Sequence, residues 1–185
     1  MSQQTYDRLI NSPRGFANAS MRDVLLPLIL GKETNGILYW IGKDLAREYP
    51  VATPEEITLL ASQLGFGELT RTRQRGTSQN WTMKGDVIAD RLDNEDNPSF
   101  TLEAGFLAQE LEFQLSTNTE ARVLSVGRGT VELIAQSDPG KDDGDHEVAT
   151  FIHLKDAAQD EQADDGQNDD QAKPKHRKHH FGHKK

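Results

Sequence analysis

The chain has 185 residues, no cysteine and a net charge of −9. Disulfides, thiol nucleophiles and cysteine metal sites are therefore excluded. The seven Lys/Arg and seven Asp/Glu of residues 155–185 cancel, so residues 1–154 carry the whole negative charge, and such a domain repels nucleic acid phosphates.

Residues 1–19 are polar, with a turn signal at Asn11-Ser12-Pro13. They read as a loosely ordered arm without an apolar signal-peptide region. Ser20 can cap a first helix, MRDVLLPLILG, in which Pro27 predicts a kink or an early break. Its apolar run VLLPLIL is shorter than the roughly 20 residues that span a bilayer. No membrane partner and a cytoplasmic location are expected. Thr34 or Asn35 can cap the next helix, which should stop before Pro50. Ile37, Ile41 and Leu45 share one stripe of it. Lys43, Asp44, Arg47 and Glu48 give its water-facing side. Thr53-Pro54-Glu55-Glu56 is a capping box with proline at the first helical position. ITLLASQL follows, and Gly65 is a natural left-handed terminator.

The hydrophobic period then shortens to two. GELTRTRQ and SQNWTMKG alternate on either side of Gly76 and predict a hairpin. DVIADRLD returns to helical spacing, and NEDNPS is a loop. FTLEAGFLAQELEFQL, residues 100–115, repeats leucine at 107, 111 and 115 and predicts an amphipathic helix. ARVLSV and TVELIAQ flank a Gly127-Arg128-Gly129 turn and form a second hairpin. EVATFIHL, 147–154, can add one more strand. From residue 155 onward an acidic block precedes a Lys/His block, a composition that predicts disorder.

Three stretches in this order, LLPLILGKETNGILYWIGKDLAREYP, LGFGELT and RLDNEDNPSFTLEAGFLAQELEFQL, resemble the YslB-like family of small bacterial proteins. That family is similar to the 4-vinyl-reductase-type small-molecule-binding domain, which shares its fold with core subunits of the TRAPP vesicle-tethering complex. The resemblance covers residues 22–136. It implies a mainly antiparallel sheet of about four strands with helices packed on one side. The paired cysteines common in vinyl-reductase-type domains are absent here, so no metal or redox role carries over.

Glycine inside a helix costs about 1 kcal/mol against alanine, and close approach of another backbone usually offsets that cost. Gly42 and the pair Ala104-Gly105 are thus the expected crossing point of two helices. The aromatics Tyr39, Trp40, Phe106 and Phe113 are either ordinary core or the lining of an apolar cavity for a small ligand. Gly65 and Gly67 in LGFGEL suit a helix terminator and a tight turn better than a phosphate loop, because a third glycine is missing. Arg71, Arg73 and Arg75 beside Trp81 offer a basic, aromatic platform, set against the plainer reading of a solvated hairpin face. Glu103 at a helix start complements the macrodipole. His176/His180 and His179/His183 have the four-residue spacing that a helix would use to pair metal ligands, but the segment has no apolar face and reads as a solubilising tail.

No Gly-x-Ser-x-Gly elbow, HExxH or P-loop occurs. The expectation is an α+β domain over residues 20–154, between the 1–19 arm and the 155–185 tail. Its function is expected to be non-enzymatic binding of a small hydrophobic molecule, without cofactor, metal or catalytic residues. The ligand-binding residues would be Tyr39, Trp40, Phe106 and Phe113. The alternative is a dimeric interaction or scaffold protein of TRAPP-like fold with no ligand; a homodimer is the expected assembly.

Overall fold

The computed structural model describes residues 2–94, 98–138, 140 and 149–155. It divides into two compact units, Met1–Leu154 and Lys155–Lys185, and every described helix and strand belongs to the first. These elements are α1 (Ser2–Leu9), α2 (Phe16–Ser20), a π turn (Met21–Leu25), α3 (Leu26–Leu30), a 3-10 turn (Gly31–Glu33), α4 (Thr34–Glu48), α5 (Pro54–Gln63), β1 (Glu68–Arg75), β2 (Ser78–Lys84), α6 (Asp86–Asn94), α7 (Thr101–Leu115), β3 (Thr119–Val126) and β4 (Val131–Ser137). Among the described residues, no helix is long and apolar enough to cross a membrane.

The four strands form one antiparallel sheet in the order β1-β2-β4-β3. Period-two patterning explains which face is covered. On β2, Gln79, Trp81 and Met83 are buried, and on β4 so are Val131, Leu133, Ala135 and Ser137. Register aligns Trp81 with Leu133 and Met83 with Val131. One face of the sheet is therefore a continuous apolar floor.

Helix α7 lies on that floor, against β3 and β4, and α4 lies against α7. A helix held between two layers has no free face. Residues 102–111 and Phe113 are all buried, so the one-sided stripe expected of this helix is not observed. The crossing of α4 with α7 is where the glycines indicated. A Cβ on Gly42 would overlap the Leu102 carbonyl oxygen and lie 2.8 Å from Phe106 N. A Cβ on Gly105 would overlap the Tyr39 carbonyl oxygen and lie 2.8 Å from its carbon.

The buried stripe of α4 is Leu38, Gly42 and Ala46, with Lys43 beside it. This rotates the helix relative to the expected stripe and leaves Ile37 exposed. Lys43 faces inward because two carboxylates receive it: its Nζ lies 3.3 Å from Glu112 and 3.4 Å from Glu120.

Helix α5 begins with the predicted capping box. Glu56 N donates to Thr53 Oγ1 at 3.2 Å, and Thr53 N donates back to Glu56 Oε2 at 3.0 Å. Gly65 ends the helix at φ 73°, where glycine carries no Cβ penalty. The link between α4 and α5 is clipped to α7 twice: Val51 N donates to Glu110 Oε2 at 3.0 Å, and Gln114 Nε2 donates to Val51 O at 2.9 Å.

Two expectations are corrected here. The polar arm forms α1 and α2, because Leu9 and Ala19 are buried and Tyr6 meets Phe16 edge-on at 5.6 Å. The strand expected at 147–154 is not formed by its described residues, 149–154, which carry no regular structure. Ile152 and Leu154 instead pack on the core, and Ile152 N donates to Pro50 O at 2.9 Å. Residues 156–185, including the four tail histidines and the expected disorder, lie outside the described residues, as does His146.

Candidate functional site

Pro27 has no N–H, and its ring would clash with the carbonyl four residues back in a regular helix. The helix accommodates it by widening one turn earlier, where Leu26 N bonds Met21 O, five residues back. Such π turns often occur at functional sites. This one carries Arg22 and Asp23 toward α6 and α7.

There they join a buried ionic cluster. Arg22 Nη2 donates to Glu103 Oε1 and Oε2, both at 3.0 Å. Arg91 Nη1 reaches Glu103 Oε1 at 3.3 Å, its Nη2 donates to Ser99 O at 2.8 Å, and its Nε is 3.6 Å from Asp23. Arg14 pairs with the other Asp23 oxygen. The Arg91 guanidinium also stacks over Phe100 at 4.5 Å. Side-chain exposure is 4% for Arg91, 3% for Glu103 and 12% for Arg22. Burial lowers the Arg22 pKa, and Glu103 opposes that shift. Glu103 is thus a buried counter-ion, not merely a dipole partner at a helix start.

The cluster forms the polar floor of a cavity of about 460 Å³. Leu26, Leu45, Leu64, Phe66 and Leu102 supply apolar walls, and Gln63 adds an amide. Arg22 and Arg91 also line a second cavity of about 290 Å³, together with Asp23, Pro27 and Ser99. On the outside, α1 and the segment from α2 to α3 enclose an apolar groove of about 610 Å³ lined by Tyr6, Phe16, Met21, Leu25 and Leu28.

The four aromatics singled out in the sequence are dispersed. Phe106 is wholly buried and meets Phe66 edge-on at 5.6 Å, and Phe113 is also buried. Trp40 is 60% exposed and lies 5.7 Å from Lys43 Nζ. Tyr39 donates its hydroxyl to Glu120, and that hydroxyl accepts Ala121 N–H at 3.3 Å. Burial and the Glu120 hydrogen bond raise the Tyr39 pKa above its ordinary range. None of the four lines the three spaces just described. Arg71, Arg73 and Arg75 are exposed, whereas Trp81 is wholly buried, so no aromatic platform accompanies those arginines. Among the described residues, no three His, Asp or Glu side chains cluster to hold a metal ion.

A family model described as a protein of unknown function, DUF2507, matches residues 15–136. The chain belongs to the DUF2507 family. The matched span contains Arg22, Asp23, Arg91 and Glu103, and Arg14 precedes it by one residue. An uncharacterised protein of Bacillus subtilis (strain 168), YslB, is 33% identical over 97 residues, covering 52% of this chain and 66% of its own length. This agrees with the YslB-like motifs. The chain is also similar to two solved structures. One is a vinyl-4-reductase family protein from Methanocaldococcus jannaschii, with 15% identity, TM-score 0.47 and coverage of 62% of this chain and 78% of that one. The other is the phenol-responsive sensory domain of the transcription activator PoxR, crystallised with phenol, with 16% identity, TM-score 0.48 and coverage of 69% and 76%.

Proposed function

We propose that this DUF2507 domain is a non-enzymatic binding module for a small, mainly apolar molecule. The observation that carries this reading is the cavity of about 460 Å³, which has apolar walls beside a buried charged cluster. Its volume lies in the range typical of small-molecule sites, roughly 300–1,000 Å³, and mostly apolar walls with few polar groups are their usual chemistry. Its arginines are engaged with carboxylates, and the lining contains no serine, threonine, cysteine or histidine nucleophile. That favours binding over turnover. The test is titration of the full chain with toluene, followed by amide chemical shifts. Residues around Leu45, Leu64 and Phe66 should shift, and Leu64→Trp, which fills the space, should abolish the response. Unchanged spectra at saturating toluene would remove this reading.

A second reading rests on a different surface. Leu28 and Ile29 are 76% and 68% exposed, next to the groove that Met21 and Leu25 line. Apolar side chains grouped on a surface mark interaction sites, and a homodimer through α3 fits them. Light scattering should then give twice the chain mass, reverting to one mass in Leu28→Lys/Ile29→Lys. A monomeric parent at high micromolar concentration would dismiss it.

A further inference from the structure

The hairpin of β1 and β2 segregates charge. Residues 69–85 contain Arg71, Arg73, Arg75 and Lys84 but no Asp or Glu, in a chain of net charge −9. Glu68 pairs with Lys84 at 3.3 Å. Among the described residues no carboxylate pairs with the three arginines, and Arg71 donates to Gln74 Oε1 at 3.4 Å. β1 is also an edge strand, because among the described residues it pairs with β2 alone. Half of an edge strand's N–H and C=O groups point away from its neighbour. Leu69 is buried, but residues 71–75 are all exposed, so no helix covers either face of that stretch. A bulge sets the directions of its side chains. Register places Arg71 opposite Trp81, then shifts to place Arg73 opposite Asn80 and Arg75 opposite Ser78. Arg73 and Arg75 therefore share the face of the sheet that points away from buried Trp81. None of these arginines lines the cavities described above.

We propose that the β1 edge docks an extended acidic segment of a protein partner, which adds as a strand beside β1 and sets carboxylates against Arg73 and Arg75. Strand addition supplies main-chain hydrogen bonds, and side chains at alternate positions supply selectivity. Carboxylates two residues apart on an extended peptide fall on one face, which matches the spacing of Arg73 and Arg75. A guanidinium can hold a carboxylate through two parallel N–H bonds. Charge disfavours the other occupants. A second copy added edge to edge would set arginine against arginine, and charged edges are a common protection against such self-pairing. A nucleic acid would run past the hairpin onto the acidic remainder of residues 1–154. Trp81 is wholly buried and offers bases no stacking surface.

The experiment titrates the full chain at pH 7 and low salt with acetyl-Glu-Thr-Glu-Thr-Glu-Thr-amide and with its glutamine-for-glutamate counterpart. Two further forms of the acidic peptide are N-methylated at odd or at even residues. Amide chemical shifts give both the site and the dissociation constants. The acidic peptide should shift residues 70–76. The glutamine peptide should bind about tenfold more weakly, as two or three exposed ion pairs predict. One of the two methylated forms should lose binding, because it lacks the amides that face β1. Arg73→Gln/Arg75→Gln changes two exposed side chains, should stay folded in a thermal melt, and should bind the acidic peptide no better than the glutamine one. The wild-type comparison decides even if that variant fails to fold. Equal binding of the acidic and glutamine peptides would overturn the proposal, as would undiminished binding of both methylated forms. So would shifts confined to other parts of the domain, or no shift at millimolar peptide. If oligouridylate shifts the hairpin and the acidic peptide does not, β1 contacts nucleic acid and the proposal falls. None of these outcomes bears on the cavity reading.

Discussion

Gly105→Ala should cost roughly 5 kcal/mol or more, beyond the usual 1–3 for overpacking. The added Cβ would overlap the Tyr39 carbonyl oxygen. That obstacle is backbone and cannot rotate away. Relief requires α4 and α7 to separate along their length, which would open the packing that buries Leu38, Ala46, Leu102 and Phe106. Gly42→Ala meets the Leu102 carbonyl from the opposite side and should behave similarly. The control is Gly36→Ala in the same α4 helix. Nothing lies within 4 Å of its Cβ position, so removing glycine's excess backbone freedom should stabilise by about 0.5 kcal/mol. Urea melts of the three variants give the comparison. If Gly105→Ala and Gly36→Ala melt alike, the two helices do not cross backbone to backbone.

That crossing is legible in the sequence because glycine inside a helix is a local cost that demands a non-local reason. The capping box at Thr53-Pro54-Glu55-Glu56 and the terminator at Gly65 are legible because their causes lie within a few residues. Lys43 is not. Sequence patterning places a lysine toward water, and it takes Glu112 and Glu120, 69 and 77 residues away, to make its burial tolerable. Helix α7 shows the same limit from the apolar side. Leucines at 107, 111 and 115 mark one stripe, but Ala104, Ala108, Gln109 and Glu110 are buried as well, because α4 covers what the sheet leaves open. Periodicity reports that a helix has a partner but not that it has two.

The candidate site was the least legible part. Arg22 and Glu103 stand 81 residues apart, and Arg91 is 12 from Glu103. No spacing rule joins them. Pro27 was the available signal. It announced an irregular turn, and the π turn it enforces is what presents Arg22 and Asp23 to the interior. Tyr39 and Trp40 stand out in the sequence as candidate cavity aromatics, yet the crossing uses the Tyr39 backbone, while the Tyr39 hydroxyl bonds Glu120 and Trp40 is exposed. The sequence feature that mattered there was the absent side chain, not the large one.

The stability of the domain should fall as pH rises from about 5 to 8, with Glu110 as a principal cause. Burial raises its carboxyl from the ordinary 4.5 to about 8, Val51 N–H pulls it down, and Glu56 adds a smaller upward push. Below pH 4.5 both folded and unfolded chains hold the proton, so the group is neutral to stability. Between 4.5 and about 8 the unfolded chain has released the proton and the folded chain keeps it, so stability declines by about 1.4 kcal/mol per pH unit. Above about 8 both forms are ionised and the decline stops. The full span amounts to at most ~5 kcal/mol. The domain's other carboxylates add their own pH dependence, so the decisive quantity is the difference between the parent and Glu110→Gln. Glutamine keeps an oxygen for Val51 N–H, preserves the clip from α7 to the α4–α5 link, and cannot ionise. At pH 5 the two proteins should be nearly equal in stability. At pH 8 the variant should be more stable by several kcal/mol. Urea denaturation at each pH unit measures this directly. A parent–variant difference that stays flat from pH 5 to 8 would mean that Glu110 is already ionised in the folded chain, with its buried charge carried by Val51 N–H.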